Sequence, residues 1–321
     1  MKAMRAHQFG GPEQLRLEDA PEPQVQAGQV QIRVRATGIN PADLVRLSGR
    51  LQPLALPYIP GTDVCGEVEA VGAGVTHVKP GDRVFGRTAA GGYAEKTCLA
   101  ASEAMLLPAN LSFEEGAAIP IPFYTAYRAL HHKAALKAGE TVLISAGGGG
   151  VGVAAIQLAK LVGARVITTV GSADKAERTR ALGADVTINY KTQDFAAEVR
   201  KLTDGKGVEV IIENVASDNL TKDLAIIARD GRIIVIGTGT GKGPDGSFAV
   251  MHALMKDVNI LGMSLVNAGL VIAEMATALT PLFAAGKIKS IISKSYPLAD
   301  AQQALADLVA GRVFGKLVLH P

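Results

Sequence analysis

The sequence has few of the features that define several classes of protein. It contains only two cysteines, Cys65 and Cys98, which cannot build a disulfide framework or a four-cysteine zinc site. There are 33 lysines and arginines against 30 aspartates and glutamates, so no strong field favours nucleic acid or an anionic membrane. No apolar run reaches the roughly 18 residues of a membrane span, and the N-terminal segment lacks the apolar core of a signal peptide. We therefore expect a soluble, cytoplasmic protein.

Residue patterns typical of metal or nucleophilic catalysis are also missing. The 6 histidines are scattered, and none pairs with a cysteine at zinc-ligand spacing. Neither H-E-x-x-H nor G-x-S-x-G occurs. Cys65 lies in an apolar, strand-like segment and is interpreted as a small buried side chain. No metal site is predicted.

The sequence does contain two regions with different patterns of apolar and polar residues, and its 321 residues favour two domains. The first third is predicted to be rich in strands, since residues 30–36 and 64–71 alternate apolar and polar side chains. From Thr141 onward apolar strands alternate with helices, and residues 233–236 are apolar throughout, which is typical of a parallel sheet covered on both faces. The stretch after about residue 267 is too short for a domain, so we expect it to complete the first one.

Glycine is abundant, with 36 residues, and five of these lie within residues 147–152. Gly147, Gly149 and Gly152 satisfy the pattern G-x-G-x-x-G between a buried strand and a helix. The first glycine permits a tight turn, the second lets the backbone approach a pyrophosphate, and the third lets the helix pack on the strand. The helix N-terminus then offers N–H groups and a positive dipole end to phosphates. This context predicts a dinucleotide site, and a turn without a ligand is the alternative.

The residues after the second strand of this region favour NADPH over NADH. An NAD site usually places an acidic residue there to bind the ribose 2′-hydroxyl, whereas this chain has Val170 and Gly171. Ser172 can donate a hydrogen bond to a 2′-phosphate and Lys175 can supply charge, although Lys175 is alternatively a solvated helix residue. Asp174 is interpreted as a helix cap. Bound nicotinamide can transfer hydride directly to an acceptor that needs little activation, such as a quinone or an enone.

Short motifs along nearly the whole chain carry a family resemblance. They are residues 9–13, 38–41, 57–63, 81–85, 91–95, 116–119, 125–130, the glycine loop, 188–190 and 315–319. Together they resemble the medium-chain dehydrogenase/reductase superfamily, and within it the zinc-free quinone oxidoreductases of the zeta-crystallin group. The resemblance implies an α/β fold in which residues 1–121 and 267–321 form a GroES-like, β-rich catalytic domain. It implies that residues 122–266 form an inserted Rossmann domain with a doubly wound parallel sheet, and that NADPH binds in the cleft between the domains.

The resemblance also implies roles for residues that would lie near the nicotinamide. Asn40, Thr62 and Ile121 stand where zinc-dependent relatives place Cys, His and Cys, so the site is expected to lack metal. Asn40 has two open roles, a hydrogen bond near the nicotinamide or the N-cap of a helix that begins at Pro41. Thr125 is expected beside the nicotinamide.

The cofactor contacts implied by the resemblance form a longer set. They are expected at the pyrophosphate (Gly148, Gly149, Gly150 and Val151), at the adenosine 2′-phosphate (Gly171, Lys175 and Tyr190), at the nicotinamide side (Ile236, Gly237, Thr238 and Gly239), over the cofactor (Met263, Ser264 and Leu265) and at Asn219. Residues 258–263 resemble the edge strand that pairs across dimers of the family, with a covered internal edge as the alternative. A homodimer or homotetramer is expected.

One departure from the family bears on the substrate. Many members carry a tyrosine directly after the Ser-Gly pair that matches Ser48 and Gly49, but here Arg50 and Leu51 follow. The sequence favours an NADPH-dependent quinone reductase, and the missing tyrosine keeps reduction of enone or enal double bonds as an alternative. A third possibility is a crystallin-like structural or RNA-associated protein that binds NADPH, although no basic cluster with interleaved aromatics supports it.

Overall fold

The structure is a computed structural model that describes residues 1–50, 55–239, 243–269 and 271–321. Leu51, which follows Arg50 in the segment without the family tyrosine, lies outside the described residues. The chain divides into two compact units. Unit 1 comprises Met1–Ile121 and Leu270–Pro321, and unit 2 comprises Pro122–Gly269.

The elements are numbered in chain order over the described residues. The strands are β1 (Lys2–Ala6), β2 (Leu15–Asp19), β3 (Gln29–Gly38), β4 (Asp63–Val71), β5 (Arg83–Arg87), β6 (Lys96–Ala100), β7 (Met105–Leu106), β8 (Thr141–Ile144), β9 (Arg165–Val170), β10 (Val186–Asn189), β11 (Val208–Glu213), β12 (Ile227–Val235), β13 (Asn259–Gly262), β14 (Ile292–Pro297) and β15 (Lys316–His320). The α-helices are α1 (Pro41–Leu47), α2 (Phe113–Ala117), α3 (Pro120–Tyr127), α4 (Gly150–Val162), α5 (Ala173–Ala181), α6 (Phe195–Leu202), α7 (Ala216–Ile226), α8 (Val250–Leu254), α9 (Val271–Ala284) and α10 (Ala301–Val309). None of these helices is long and apolar enough to span a membrane.

Unit 1 is built around a largely antiparallel sheet with the strand order β14-β15-β3-β4-β5-β7, and β6 pairs with β3 beyond this path. In β3 the apolar side chains alternate inward, as in a strand with one buried face, and Val30, Ile32 and Val34 are buried. β15 at the end of the chain pairs antiparallel with β3, where Val318 lies opposite Gly38. The last residues of the chain therefore belong to the same sheet as residues near its beginning.

The core of unit 1 draws on both ends of the chain. One buried cluster packs Met4 and Leu15 from the N-terminal strands with Leu305 of α10 and with Leu317 and Leu319 of β15. Burying such side chains contributes about 1.5–3 kcal/mol each, so the C-terminal segment supplies a large part of the stability of this unit.

Unit 2 contains a six-stranded sheet with the order β10-β9-β8-β11-β12-β13, and all of its neighbouring pairs are parallel. The central strands are apolar, and one buried cluster packs Leu143, Ile211 and Ile233 with Phe195 of α6 and Leu224 of α7. The chain runs outward from β8 to β10 and then crosses back to β11. The doubly wound parallel sheet expected from the sequence is thus confirmed, and its topological switch point lies between β8 and β11.

Candidate functional site

Most of the predicted cofactor residues lie at one edge of the sheet of unit 2. They follow the carboxyl ends of β8 (Gly147 to Gly152), β9 (Gly171 to Lys175), β10 (Tyr190), β12 (Ile236 to Gly239) and β13 (Met263 to Leu265), while Asn219 lies in α7 after β11. Because the strands are parallel, their carboxyl ends share one edge, and open α/β sheets bind ligands at this edge beside the switch point.

The glycine loop at this edge contains glycines with two different steric roles. A Cβ on Gly147 would lie 2.0 Å from Oγ1 of Thr168, and a Cβ on Gly152 would lie 2.5 Å from the carbonyl oxygen of Ala146. A Cβ on Gly149 would meet its nearest neighbour only at 3.4 Å, which is an ordinary contact, and Gly149 is exposed. The packing of the protein therefore requires Gly147 and Gly152, whereas Gly149 leaves open the space that a phosphate group would need.

Lysine and tyrosine side chains surround Gly171 at the ends of β9 and β10. A Cβ on Gly171 would lie 2.8 Å from the hydroxyl oxygen of Tyr190 and 3.4 Å from Cε of Lys191. Burial lowers the pKa of Lys175, and the positive charge of Lys191 lowers it further, while the carboxylate of Asp174 opposes the decrease. A cluster of like charges is stabilised by a bound anion. Lys191 was not predicted from the sequence, although its position directly after Tyr190 was a usable signal.

The start of α5 differs from the expectation for Asp174. Ser172 is the N-cap, because its Oγ accepts a hydrogen bond from the backbone N–H of Lys175 at 3.3 Å. Asp174 instead lies in the first turn, where its negative charge interacts favourably with the positive end of the helix dipole. The cap predicted at Asp174 was therefore wrong by two residues, and the hydroxyl hydrogen of Ser172 is still able to donate to a ligand.

Polar groups connect the ends of β8 and β11 across the switch point. The hydroxyl of Ser145 donates to Oε1 of Glu213 at 2.7 Å and accepts the N–H of Asn214 at 2.7 Å. The side-chain amide of Asn219 donates to Oε2 of Glu213 at 3.3 Å. Asn219, predicted as a cofactor contact, therefore also belongs to a hydrogen-bond network within the protein. An acidic residue that ends an apolar strand was the missed signal for Glu213.

The segments after β12 and β13 lie beside this network. Gly237 contacts the end of β11, since a Cβ on it would lie 2.6 Å from the carbonyl oxygen of Asn214. Gly239 has a φ of +83°, which favours glycine. The N–H of Met263 donates to the carbonyl oxygen of Val235 at 3.0 Å, which holds the chain after β13 against the end of β12. Both segments are thus anchored at the carboxyl edge.

Thr125 lies in α3 and is almost fully buried. Three residues later, Arg128 opens a π-helical turn and donates to the carbonyl oxygens of Ser264 at 2.5 Å and Asn267 at 3.2 Å. Arg128 therefore connects the helix of Thr125 with the segment that includes Ser264 and Leu265. Arg128 was not among the site residues predicted from the sequence.

Unit 1 contains a separate buried network around Asn40. The ammonium group of Lys316 donates to Oδ1 of Asn40 and to Oδ2 of Asp63, the latter at 3.0 Å. The side-chain amide of Asn40 donates to Asp63 at 3.0 Å and to the carbonyl oxygen of Gly38 at 3.4 Å. Asn40 also occupies the N-cap position of α1. Both amide hydrogens and the amide oxygen of Asn40 thus have partners within unit 1, and a hydrogen bond near the nicotinamide stays a prediction.

The same network continues to Asp43 and Tyr93. Oδ2 of Asp43 accepts the backbone N–H of Asn40 at 2.8 Å and the hydroxyl of Tyr93 at 3.0 Å. Burial raises the pKa of Asp43 to about 6, while these two hydrogen bonds and the charge of Lys316 oppose the rise. Asp43 is thus a buried carboxyl group whose pKa lies well above its ordinary value.

The three positions that match zinc ligands in relatives differ in what they offer. Ile121 has no ligand atom in its side chain, and its N–H donates to Oδ1 of Asp63 at 3.0 Å. Oγ1 of Thr62 accepts from Arg46 at 3.2 Å, and Oδ1 of Asn40 accepts from the Lys316 ammonium group. Across the described ranges, no group of three or more His, Cys, Asp or Glu side chains is arranged to hold a metal ion.

Comparison with known proteins gives matches to both units. The family model for the alcohol dehydrogenase GroES-like domain matches residues 26–120, and the model for zinc-binding dehydrogenase matches residues 150–284. The quinone oxidoreductase of Homo sapiens is 38% identical, and the match covers 99% of this chain and 97% of the human one. Among solved structures, Escherichia coli quinone oxidoreductase complexed with NADPH has a TM-score of 0.93 at 33% identity, with 100% of both chains covered. An NAD-dependent alcohol dehydrogenase has a TM-score of 0.92 at 35% identity, also with 100% of both chains covered.

A GroES-like domain combined with a doubly wound dinucleotide-binding sheet defines the medium-chain dehydrogenase/reductases. The fold class expected from the sequence is confirmed. The identity to quinone oxidoreductases extends over nearly the whole length, so the relationship is closer than shared architecture. The chain belongs to the quinone oxidoreductase family of this superfamily, as its sequence motifs indicated.

Proposed function

We propose that this chain is an NADPH-dependent quinone oxidoreductase that acts without a metal ion. The observation that carries the proposal is the combination of two features at the carboxyl edge of unit 2. One is a glycine loop whose Gly149 leaves room for a pyrophosphate, and the other is the pair Lys175 and Lys191 near Gly171. NADPH, when bound, supplies the hydride that reduces the acceptor.

The residues of unit 2 fit the phosphates of NADPH by charge and by space. The N-terminus of α4 follows Gly149, so its unpaired N–H groups and its dipole favour a pyrophosphate. At the adenosine end, Lys175 and Lys191 are the cations that a 2′-phosphate would neutralise, and the Tyr190 hydroxyl is available as a donor. The end of β9 carries Val170 and Gly171 where an NAD site usually has an acidic residue, and a Cβ at position 171 would lie 2.8 Å from the hydroxyl oxygen of Tyr190.

The absence of a metal from the proposed mechanism rests on the chemistry of the residues in unit 1. Ile121 provides no ligand, and the oxygen of Asn40 faces the ammonium group of Lys316, which repels a metal cation. A quinone suits such a site because it accepts hydride without Lewis-acid activation. The role of Thr125 beside the nicotinamide and of Met263, Ser264 and Leu265 over the cofactor remains part of this proposal.

The test is a steady-state assay of purified protein treated with a chelator. We expect NADPH to be oxidised with simple quinones, NADH to be a poorer donor, and added zinc to have no effect. Turnover of enals but not of quinones at matched concentrations would show that the acceptor is an enal and not a quinone. That result would agree with the missing tyrosine after Ser48 and Gly49, where this chain has Arg50. Tight NADPH binding with no turnover of either class would overturn the proposal in favour of a binding protein.

A further inference from the structure

Two carboxyl groups are completely buried in unit 2, and they face each other. Glu213 ends β11 and Asp223 lies in the third turn of α7, and both residues are 0% exposed. Their side chains lie within hydrogen-bonding reach of each other. Two ionised carboxylates have no hydrogen to share, so this contact requires that one of the pair carries a proton.

The surrounding hydrogen bonds show which carboxyl group holds the proton. Glu213 accepts from the hydroxyl of Ser145, from the backbone N–H of Val215 and from the side chain of Asn219. Neither side-chain oxygen of Asp223 receives a hydrogen bond from a protein donor. Donors stabilise the ionised form of a carboxyl group. Glu213 is therefore the anion, and Asp223 is the acid that donates to it.

The position of this pair relates it to the nucleotide site. Ser145 lies two residues before Gly147, and β8 and β11 are the strands that flank the switch point. Asn219 and Asp223 are four residues apart in α7, so they share a face of the helix. The Glu213 anion thus connects the segment that enters the glycine loop with the face of α7 that carries Asn219.

We propose that Asp223 is a positioning residue for the dinucleotide: as a neutral acid it donates its hydrogen to Glu213, which in turn fixes the Ser145 hydroxyl and the Asn219 amide. One of the two Nδ2 hydrogens of Asn219 is donated to Glu213, so the carbonyl oxygen and the second amide hydrogen are left for a ligand. A hydroxyl group can donate to this oxygen and accept from this hydrogen, whereas an ionised phosphate can only accept. The ligand group expected at Asn219 is therefore a ribose hydroxyl, an inference that rests on the proposed NADPH function.

The proposal is tested by comparing two substitutions of Asp223 that differ in whether they can donate. Asp223→Asn always donates and never ionises, while Asp223→Leu has a similar size and cannot donate. We expect Asp223→Asn to bind NADPH within about twofold of the unsubstituted protein. We expect Asp223→Leu to bind it about tenfold more weakly, on the scale of one lost hydrogen bond to a charged group. The kcat at saturating NADPH and quinone should change much less, because the defect lies in binding.

An infrared measurement tests the protonated acid without any nucleotide. At pH 8 the unsubstituted protein should show the carbonyl stretching band of a protonated carboxylic acid, and Asp223→Asn should lack it. Asp19→Asn is the control, because Asp19 is an exposed carboxylate paired with Lys2 and its removal should leave the band unchanged. If Asp223→Leu does not fold, the infrared band and the NADPH affinity of Asp223→Asn still test the proposal.

Three results would overturn the positioning role. They are no acid band in the unsubstituted protein, an affinity of Asp223→Asn as low as that of Asp223→Leu, or an unchanged affinity of a folded Asp223→Leu. A protein that binds NADPH but reduces no quinone would contradict the proposed function and leave this inference standing. A protein that shows the band but binds no dinucleotide would contradict both.

Discussion

The ammonium group of Lys316 lies 3.0 Å from Oδ2 of Asp63, and their side chains are only 5% and 0% exposed. Removing one member of a buried ion pair leaves an uncompensated charge, which costs about 3–5 kcal/mol. We therefore expect Lys316→Met to lower the free energy of unfolding by about this amount, as measured by urea denaturation. Adding Asp63→Asn to this variant should restore part of the loss, because the orphaned charge is then also removed.

The surface pair Arg35 and Glu67 provides the control for this prediction. Its atoms approach to 2.7 Å, but the two side chains are 45% and 38% exposed, so water screens the interaction. Arg35→Met should change the free energy of unfolding by less than about 1 kcal/mol. Equal losses for Lys316→Met and Arg35→Met would show that burial of the Lys316 pair carries no special penalty.

The glycine loop predicts opposite outcomes for two substitutions that are three residues apart. Gly152→Ala places a Cβ 2.5 Å from the carbonyl oxygen of Ala146, so the loop and α4 must move apart and the protein should be destabilised by about 1–3 kcal/mol. Gly149→Ala meets only an ordinary contact at 3.4 Å, so the melting temperature should hardly change. Its methyl group enters the space proposed for the pyrophosphate, so NADPH affinity should fall at least tenfold.

These two variants are informative only as a pair, measured by thermal unfolding without nucleotide and by NADPH titration of the folded proteins. A Gly149→Ala protein with normal NADPH affinity would move the pyrophosphate away from this loop. A Gly152→Ala protein as stable as the parent would mean that the helix tolerates the shift.

The glycine loop and the apolar strands were predictable because their signals are local. The spacing of Gly147, Gly149 and Gly152 and the alternation of residues 30–36 depend only on neighbours in the chain. The helix cap shows how local signals fail, since Ser172 and Asp174 are both good capping residues and only the backbone path selects one. The helices and strands were therefore predicted better than the residues at which they begin and end.

The buried polar networks were not predictable, because their members come from distant parts of the chain. Lys316 lies 276 residues from Asn40, and Ser145 lies 68 residues from Glu213. Nothing in a single sequence pairs a lysine near one end with an asparagine near the other. The bonds of the Asn40 amide to Lys316 and Asp63 could for this reason be found only in the folded structure.

The cationic cluster at the end of β9 predicts a selective loss of affinity. Lys175→Ala and Lys191→Ala should each weaken NADPH binding about tenfold and NADH binding less than twofold, because only NADPH carries the 2′-phosphate that a charge-assisted hydrogen bond would stabilise. Lys201→Ala is the control, since Lys201 forms an exposed pair with Glu198 on α6. Equal weakening of both dinucleotides, measured by fluorescence titration, would remove the lysine concerned from the 2′-phosphate site.

Asp43 predicts a pH dependence of stability with a definite sign. Burial raises the pKa of Asp43 from 3.8 to about 6, so between these pH values the folded protein binds a proton that the unfolded chain has released. The protonated Asp43 therefore stabilises the folded protein fully below about pH 4, and this stabilisation is lost as the pH rises through about 6. The free energy of unfolding of the unsubstituted protein should therefore fall by roughly 3 kcal/mol between about pH 4 and 6, relative to that of Asp43→Asn.

Tyr93→Phe sharpens the test of Asp43. The Tyr93 hydroxyl bonds to the carboxylate and opposes the rise of the Asp43 pKa, so its removal should shift the loss of stability toward higher pH. Urea denaturation from pH 4 to 8 measures all three proteins. A constant difference between the unsubstituted protein and Asp43→Asn over this range would show that Asp43 does not titrate with folding.

An exposed apolar helix face predicts where copies of the chain associate. Val250 and Leu254 on α8, with the adjoining Met251 and Met255, are 62–70% exposed, and spacings of four residues place them on shared faces. They directly precede β13, which forms an edge of the sheet in unit 2. We expect a dimer or tetramer in light scattering, and we expect Leu254→Arg to shift it to monomer without lowering the melting temperature of the monomer. Val309→Arg, which charges an equally exposed apolar residue at 58% in unit 1, should leave the oligomer intact. A monomeric parent protein, or an oligomer that survives Leu254→Arg, would exclude this face as the interface.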